Sequence, residues 1–548
     1  MKRTVGWFAC VGCALALQVH AAWTAEANRM AELRFESAKT YADPFNEVTL
    51  DAVFTAPDGK TLRVPGFWDG GKTWCVRYAS SVVGAHRFST VCSDPANAAL
   101  HGVVGEVNVT PYVGDNPLFR HGPVRVADDH RHFAYADGTP FFWLGDTWWM
   151  GLSERLHWPQ DVQALAADRC AKGFTVVQIV AGLYPDMPAF DERGKGDGGF
   201  SWEAGYARIR PEYFDAADKR IQFLVEQGLM PCVVGAWGYH LPWLGADKLK
   251  QHWRYVIARW GAWPVVWCAA GEQAMPWYLA ENKAADSERQ RREWTEIIRT
   301  IRATDAFHRP VTTHPRCKAR DDVADASVLD FEMHQSGHGT PPEGHAALAL
   351  EGWRGQPVMP VLSGEARYEA LEIHPTLGAK EARQAFWAHL LNCGCAGHTY
   401  GANGIWQVNQ PDRRYGKSPG GNDWGGTPWS DALRLPGSAQ LALAKKFLLT
   451  QPWYRLEPVG GTFVKGDTAA AATPDKRCAL VFTLGQAVTV DWTGWPASAR
   501  AAWFDPTTGE LRALDGDLPA TGTREFAPPG KNGAGDGDWV LLISGAAK

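Results

Sequence analysis

Eight apolar runs of strand length, separated by helix-length segments, dominate the middle of the chain and leave few folds open to it. The runs are residues 141–149, 174–181, 229–237, 265–272, 310–314, 330–334, 358–365 and 398–406, with helical patterns at 158–172, 213–227, 251–261, 287–304 and 380–392. Most runs are apolar throughout instead of alternating, the pattern of a parallel sheet covered on both faces. Eight such units over roughly 270 residues predict a (β/α)8 barrel.

The two flanks have a different texture. Residues 33–112 read as short alternating strands joined by the turns Pro57-Asp58-Gly59 and Asp69-Gly70-Gly71. A second β-rich stretch follows residue 450, with the turn Asp505-Pro506-Thr507-Thr508-Gly509. Each predicts a small β-sandwich. The expected fold class is α/β, a (β/α)8 TIM barrel flanked by N-terminal and C-terminal β-sandwich domains. The expected bounds are 1–22 for a signal peptide, 28–115 and 458–548 for the sandwiches, and 118–455 for the barrel.

The leader reading rests on Lys2 and Arg3, an apolar stretch over 5–17, and Val19-His20-Ala21 as a small-residue cleavage pattern near Ala21 or Ala22. That apolar core is too short to span a bilayer comfortably, and no later segment has about 18 uninterrupted apolar residues. The mature protein is therefore expected to be periplasmic or secreted, with no membrane association. Lipidation at Cys13 is not expected, because Cys10 stands where a lipoprotein box needs an aliphatic residue.

A net charge of −5, from 55 basic and 60 acidic residues with no basic block, argues against a nucleic-acid partner. The 27 Trp outnumber the 23 Phe and 14 Tyr, which fits either stacking on sugar rings or large cores. Nine cysteines remain after cleavage, an odd number without CxxC pairs, so neither a disulfide framework nor a zinc ribbon is expected. Cys75 and Cys92 read either as one bridge or as two buried apolar side chains.

In such a barrel the C-terminal ends of the strands carry the chemistry. Here those ends are rich in carboxylates, imidazoles and indoles, which suit a sugar better than a phosphate. Glycoside hydrolysis needs two carboxyl groups across one bond. Glu272, ending the fourth run, and Glu365, ending the seventh, are the expected catalytic pair. Each follows a glycine that lets the strand end bend. Glu369 competes with Glu365, and Arg367 is placed to hold either one ionised. Asp146, Trp148, His240, His314, His334, Trp406 and Glu369 form the expected substrate-binding shell. For Asp146 the competing use is to cap the following loop. His240, His314, His334 and His338 lack metal-ligand spacing, so no metal and no cofactor are expected. The single GxSxG string, Gly416 to Gly420, lies in a Pro- and Gly-rich loop instead of a strand-to-helix turn, so a serine hydrolase is not expected.

The run Phe141-Phe142-Trp143-Leu144-Gly145-Asp146-Thr147-Trp148-Trp149, the strand end from Trp267 to Glu272, His334-Gln335-Ser336-Gly337-His338 and Gly364-Glu365-Ala366-Arg367-Tyr368-Glu369 together resemble the apiosidase-like glycoside hydrolases, family 140 and relatives. The resemblance covers the whole mature chain. It implies an N-terminal β-sandwich, a catalytic barrel and a C-terminal β-domain that carries a collagen-binding label, which nothing within 458–548 supports physically. It also implies an exo-acting hydrolase with one acidic residue after strand four and one after strand seven, here Glu272 and Glu365. The chain departs from the group in having Glu at the strand-four position, where Asp is acceptable. The expectation is a secreted glycoside hydrolase acting on a plant or microbial polysaccharide or oligosaccharide, weakly favouring retention of configuration. The alternative is a non-catalytic carbohydrate-binding protein on the same scaffold.

Overall fold

A computed structural model of the chain describes residues 22–545 apart from 460, 462, 467, 497, 498 and 515–520. The segment read as a signal peptide therefore lies outside the described residues, save Ala22, which opens a strand.

The centre is a barrel of eight parallel strands: β1 (Trp143–Thr147), β2 (Val176–Val180), β3 (Met230–Val234), β4 (Val266–Cys268), β5 (Val311–Thr312), β6 (Glu332–Gln335), β7 (Val361–Glu365) and β8 (Gly397–Tyr400). Hydrogen bonding runs β5-β4-β3-β2-β1-β8-β7-β6, so the ring is complete except between β5 and β6. That seam is laced by other means. The Thr312 hydroxyl donates to Phe331 O (2.7 Å), Asp330 N–H donates to Val311 O (2.8 Å), and Val311 N–H donates to the Asp330 carboxylate (2.8 Å). The described β1–β7 and β8 strand residues are buried, which accounts for their unbroken apolar character, with Gln335 alone half-buried. Helices such as Pro211–Glu226, Ala246–Trp260 and Lys283–Thr304 cover the outside. A three-stranded antiparallel sheet, Val124–Val126, Phe133–Tyr135 and Pro140–Phe141, plugs the N-terminal end, with the Phe133 ring 5.1 Å from Phe331 and 5.6 Å from Trp143.

The N-terminal domain is one seven-stranded sheet folded over on itself. Thr61–Trp68 pairs with Leu50–Thr55 through its first half and with Thr73–Tyr78 through its second. The fold-over falls at Gly66, where a Cβ would stand 2.9 Å from Cys75 O. The two layers enclose Leu33, Leu50, Phe54, Val76 and Phe88. The strand Ala22–Glu26 adds to this sheet ahead of the expected start at 28. Cys75 and Cys92 are unpaired and buried in different hydrophobic clusters, so the bridge reading is corrected in favour of two apolar side chains. The C-terminal domain packs a six-stranded sheet against a three-stranded one around Trp492, Trp503 and Trp539.

Both flanking domains are tied to the barrel by buried ions. Arg77 of the N-terminal sheet and Arg259 of helix Ala246–Trp260 converge on Asp218 of helix Pro211–Glu226, at 2.6 and 2.7 Å, and Trp260 Nε1 donates to the same carboxylate at 2.7 Å. Arg383 bridges helix Ala379–Leu390 to Asp538 in the C-terminal domain at 2.7 Å. Burial alone would raise the Asp218 carboxyl, but Arg259 and Arg77 outweigh it and hold it at about 2. Its contribution is complete above the unfolded carboxyl value of about 3.9 and is lost only as pH falls through about 2. Replacing Asp218 with Asn should cost about 3–5 kcal/mol, because two buried guanidinium groups lose their counter-charge. Denaturant unfolding of the variant measures this, and the loss should persist at neutral pH.

Candidate active site

The strand ends converge on a cavity of about 520 Å³, counted with the space open to solvent. β1 leads to Trp149, β2 to Asp186, β3 to Trp237 and β4 to Glu272 and Tyr278. β6 ends in Gln335 and leads to His338, β7 ends in Glu365 and leads to Tyr368, and β8 leads to Trp406 and Trp424.

Glu272 and Glu365 meet at one amide. Gln335 Nε2 donates to Glu272 Oε1 at 3.0 Å and to Glu365 Oε1 at 3.1 Å. A shared donor at those distances keeps the two bonded oxygens within about 6 Å of each other. The backbone places them by two different devices. β4 continues past Cys268 through a bridge between Gly271 and Trp237, and the chain then turns at Glu272 itself, whose φ is 41°. The preceding glycines serve space instead of bending. A Cβ on Gly271 would stand 2.1 Å from the Trp237 ring, and one on Gly364 2.4 Å from Met333.

The two carboxyl groups have opposite surroundings. Glu272 accepts from Trp237 Nε1 at 3.2 Å, and no cation lies against it. Burial raises its carboxyl to about 7, with the charge of Glu365 adding to the effect and Gln335 opposing it. Burial would also raise Glu365, but two donors and two imidazoles surround that group. Besides Gln335, the Tyr368 hydroxyl donates to Oε2 at 2.9 Å, His314 Nε2 lies 3.3 Å from Oε2, and His338 Nε2 lies 3.3 Å from Oε1. The histidines hold its carboxyl well below the usual carboxylate range. His338 Nδ1 faces Ala366 O at 2.8 Å and so carries a proton, and its ring is raised by Glu365 against the effect of burial. His314 sits edge-on to Trp149 at 5.3 Å, its Nε2 close to the carboxylate but out of line for a hydrogen bond.

The rest of the expected shell divides. Trp406 lines the cavity, and His314 backs it through Glu365. Asp146 and Trp148 do not reach it. The Asp146 carboxylate is fully buried and taken by Arg169 Nε (2.6 Å), Trp148 Nε1 (2.8 Å) and Thr147 N–H (3.0 Å). His240 turns away to Tyr184 O (3.2 Å), and burial lowers it to about 4. His334 points out of the barrel to His389 (3.1 Å), and burial lowers it to about 3. Glu369 accepts from Tyr400 Oη (2.6 Å) and Gly437 N–H (2.9 Å), anchoring helix Pro436–Leu448. Arg367 is not the partner of either carboxylate, a role taken by the histidines. Cavity residues that sequence reasoning did not single out include Asp186, Tyr278, Gln335, Tyr368 and Trp424. Gln335 was the most legible of them, being the last residue of a strand.

The comparisons with known proteins place the chain among the glycoside hydrolases. It belongs to the apiosidase-like family, whose catalytic domain matches residues 127–455. Residues 24–93 match a domain of unknown function, DUF5060, and residues 459–544 a domain described as collagen-binding in a collagenase. Similar solved structures include a protein titled glycoside hydrolase, 23% identical, covering 80% of this chain and 99% of that one with a TM-score of 0.62. A glycoside hydrolase family 5 protein from Bacteroides vulgatus ATCC 8482 is 22% identical over 80% of this chain and 96% of that one, with a TM-score of 0.63. Another Bacteroides vulgatus glycoside hydrolase structure is 18% identical over 95% and 99% of the two chains, with a TM-score of 0.67. These likenesses are of fold. No curated protein matches the chain.

The placement of Asp146 generates a clear expectation. Asp146→Asn should lower the melting temperature, at a cost of about 3–5 kcal/mol from the unpaired Arg169, while kcat/KM of the surviving folded protein changes little. Thermal unfolding and steady-state kinetics on the one variant measure both.

Proposed function

We propose that this chain removes a terminal sugar from a plant or microbial polysaccharide or oligosaccharide with retention of configuration, using Glu272 as general acid and base and Glu365 as nucleophile. The observation that carries the reading is the single Gln335 amide donating to both carboxyl groups, since it sets their spacing. Glu365, kept ionised, attacks the anomeric carbon while Glu272, kept protonated near neutral pH, gives its proton to the leaving oxygen. Water then displaces the sugar from Glu365 as Glu272 takes the proton back. A protein that only bound sugar would have no use for two carboxyls driven to opposite protonation states. Walls contributed from seven of the eight strand ends favour a pocket for a chain end, hence exo action. The basic and apolar N-terminal segment supports export to the periplasm or beyond. Among the described residues no helix is long and apolar enough to cross a membrane.

Glu272→Gln should reduce hydrolysis of substrates with poor leaving groups by about 10²–10⁴-fold while leaving binding intact. Reducing-sugar release from a polysaccharide panel finds the substrate and measures the loss. In the wild type, activity should fall as pH rises through about 7, where Glu272 loses its proton. No acid limb should appear in the usual carboxylate range, because Glu365 stays ionised below it. A kcat/KM profile between pH 4 and 9 checks both limbs, and retained wild-type activity in Glu365→Ala would remove that residue from the chemistry.

A further inference from the structure

Asp186 is the third carboxyl group in the cavity, and neither reaction step uses it. Its φ is 56°, a conformation that a non-glycine residue holds only where its surroundings enforce it. The enforcement is visible in the loop after β2. Four consecutive carbonyls there are each taken by a side chain from elsewhere. Tyr184 O accepts from Tyr239 Oη (3.1 Å) and faces His240 Nε2 (3.2 Å), and Pro185 O accepts from Tyr415 Oη (2.9 Å). Asp186 O accepts from Arg193 Nη2 (3.3 Å), and Met187 O from Tyr239 Oη (3.4 Å).

The side chain is held as firmly. The Tyr278 hydroxyl donates to Oδ1, while Oδ2 accepts from no described group and is not walled off, so it faces the cavity. Among the described residues no cation pairs directly with its carboxylate: the Arg193 guanidinium is paired with Asp191 at 2.9 Å and, like His338, acts on Asp186 only from a distance, while burial raises the carboxyl to about 6. A buried acceptor held this rigidly without a counter-charge is costly unless a ligand supplies the donors.

Building on the catalytic reading above, we infer that Asp186 is the specificity-determining residue of the site, accepting through Oδ2 a hydrogen bond from one hydroxyl of the terminal sugar, and that this sugar is a neutral one. Oδ2 is the carboxylate oxygen that Tyr278 leaves open, and a charge-assisted bond of this kind discriminates strongly against a sugar lacking the donor. A uronic acid would instead bring a second anion against Asp186 and Glu365, and none of the lining residues is Lys or Arg.

The test uses the full chain and 4-nitrophenyl glycosides of neutral sugars, with the matching uronides and monodeoxy derivatives. Wild type should hydrolyse a neutral glycoside and not its uronide. Asp186→Asn should lose about tenfold or more in kcat/KM on the neutral glycoside, but less than about twofold on the derivative already lacking the contacted hydroxyl. Tyr278→Phe, which keeps the carboxylate and removes its anchor, should lose several-fold with the same dependence, and it serves if Asp186→Asn does not fold. Equal losses on every derivative, no loss on any, or preference for a uronide would overturn the assignment. Calorimetry with the free sugars reads the same contact without turnover. Binding that depends on Asp186 with no hydrolysis overturns the catalytic reading alone. Hydrolysis that Glu365→Ala abolishes and Asp186→Asn leaves unchanged overturns this inference alone. A chain that neither binds nor cleaves any of these sugars overturns both.

Discussion

Two buried carboxyl groups whose facing oxygens lie within about 6 Å cannot both be charged at neutral pH without a large cost. Most of the architecture around them answers that constraint. The β7 side receives every charge-stabilising neighbour: two imidazoles, a tyrosine hydroxyl and half of an amide. The β4 side receives an indole N–H, the other half of that amide and no cation. The division follows from the barrel itself, since β5 and β6 lie on the β4-to-β7 path on the seam side and contribute His314, Gln335 and His338. Placing the electrostatic contrast between them needs only the residue types at those strand ends.

The same economy governs the domain junctions. Asp218 and Asp538 each gather arginine from across an interface, so the flanking sheets are fixed to the barrel by directional contacts as well as by apolar area. Buried pairs of this kind add little net stability over well-packed apolar residues but penalise misdocked arrangements heavily. The flanking domains are thereby held in register with the catalytic barrel.

The barrel was legible because its strands are buried on both faces and therefore unbroken in the sequence, and each of the eight runs overlaps an observed strand, the sixth and eighth being offset by one residue at one end. The β-rich flanks were legible from their turns. The pair Glu272 and Glu365 could be selected because strand ends four and seven are distinguishable by counting. The substrate shell was less legible, because direction along a strand end cannot be counted. Asp146 lies on a strand that ends at the mouth, yet its side chain points into the wall toward Arg169. His334 and Gln335 are neighbours on β6, and alternation sends one outward to His389 and the other into the cavity. Asp186 lies in a long loop whose shape is fixed by remote tyrosines, and nothing local marks it. The tryptophan count was ambiguous in composition, and the structure places tryptophans in both settings, the cores and the cavity wall. The twelve largest fully buried side chains among the described residues are all Trp, while Trp149, Trp237, Trp406 and Trp424 line the cavity.

The open seam between β5 and β6 has a consequence for how tolerant this enzyme is of change. Gln335, which sets the spacing of both carboxyl groups, is the last residue of the strand at that seam, and the strand is held on its β5 side by a threonine hydroxyl, an aspartate carboxylate and two backbone bonds, Asp330 N–H to Val311 O and Gln335 N–H to Cys317 O, instead of a continuous ladder. Thr312 and Asp330 touch no part of the cavity, yet they brace the start of the strand whose end carries the amide. Inheritance can therefore adjust the acidity of Glu272 and the reach of Glu365 through substitutions at the seam, leaving the sugar-contacting surface untouched. The barrel's weakest joint doubles as a tuning point for its chemistry.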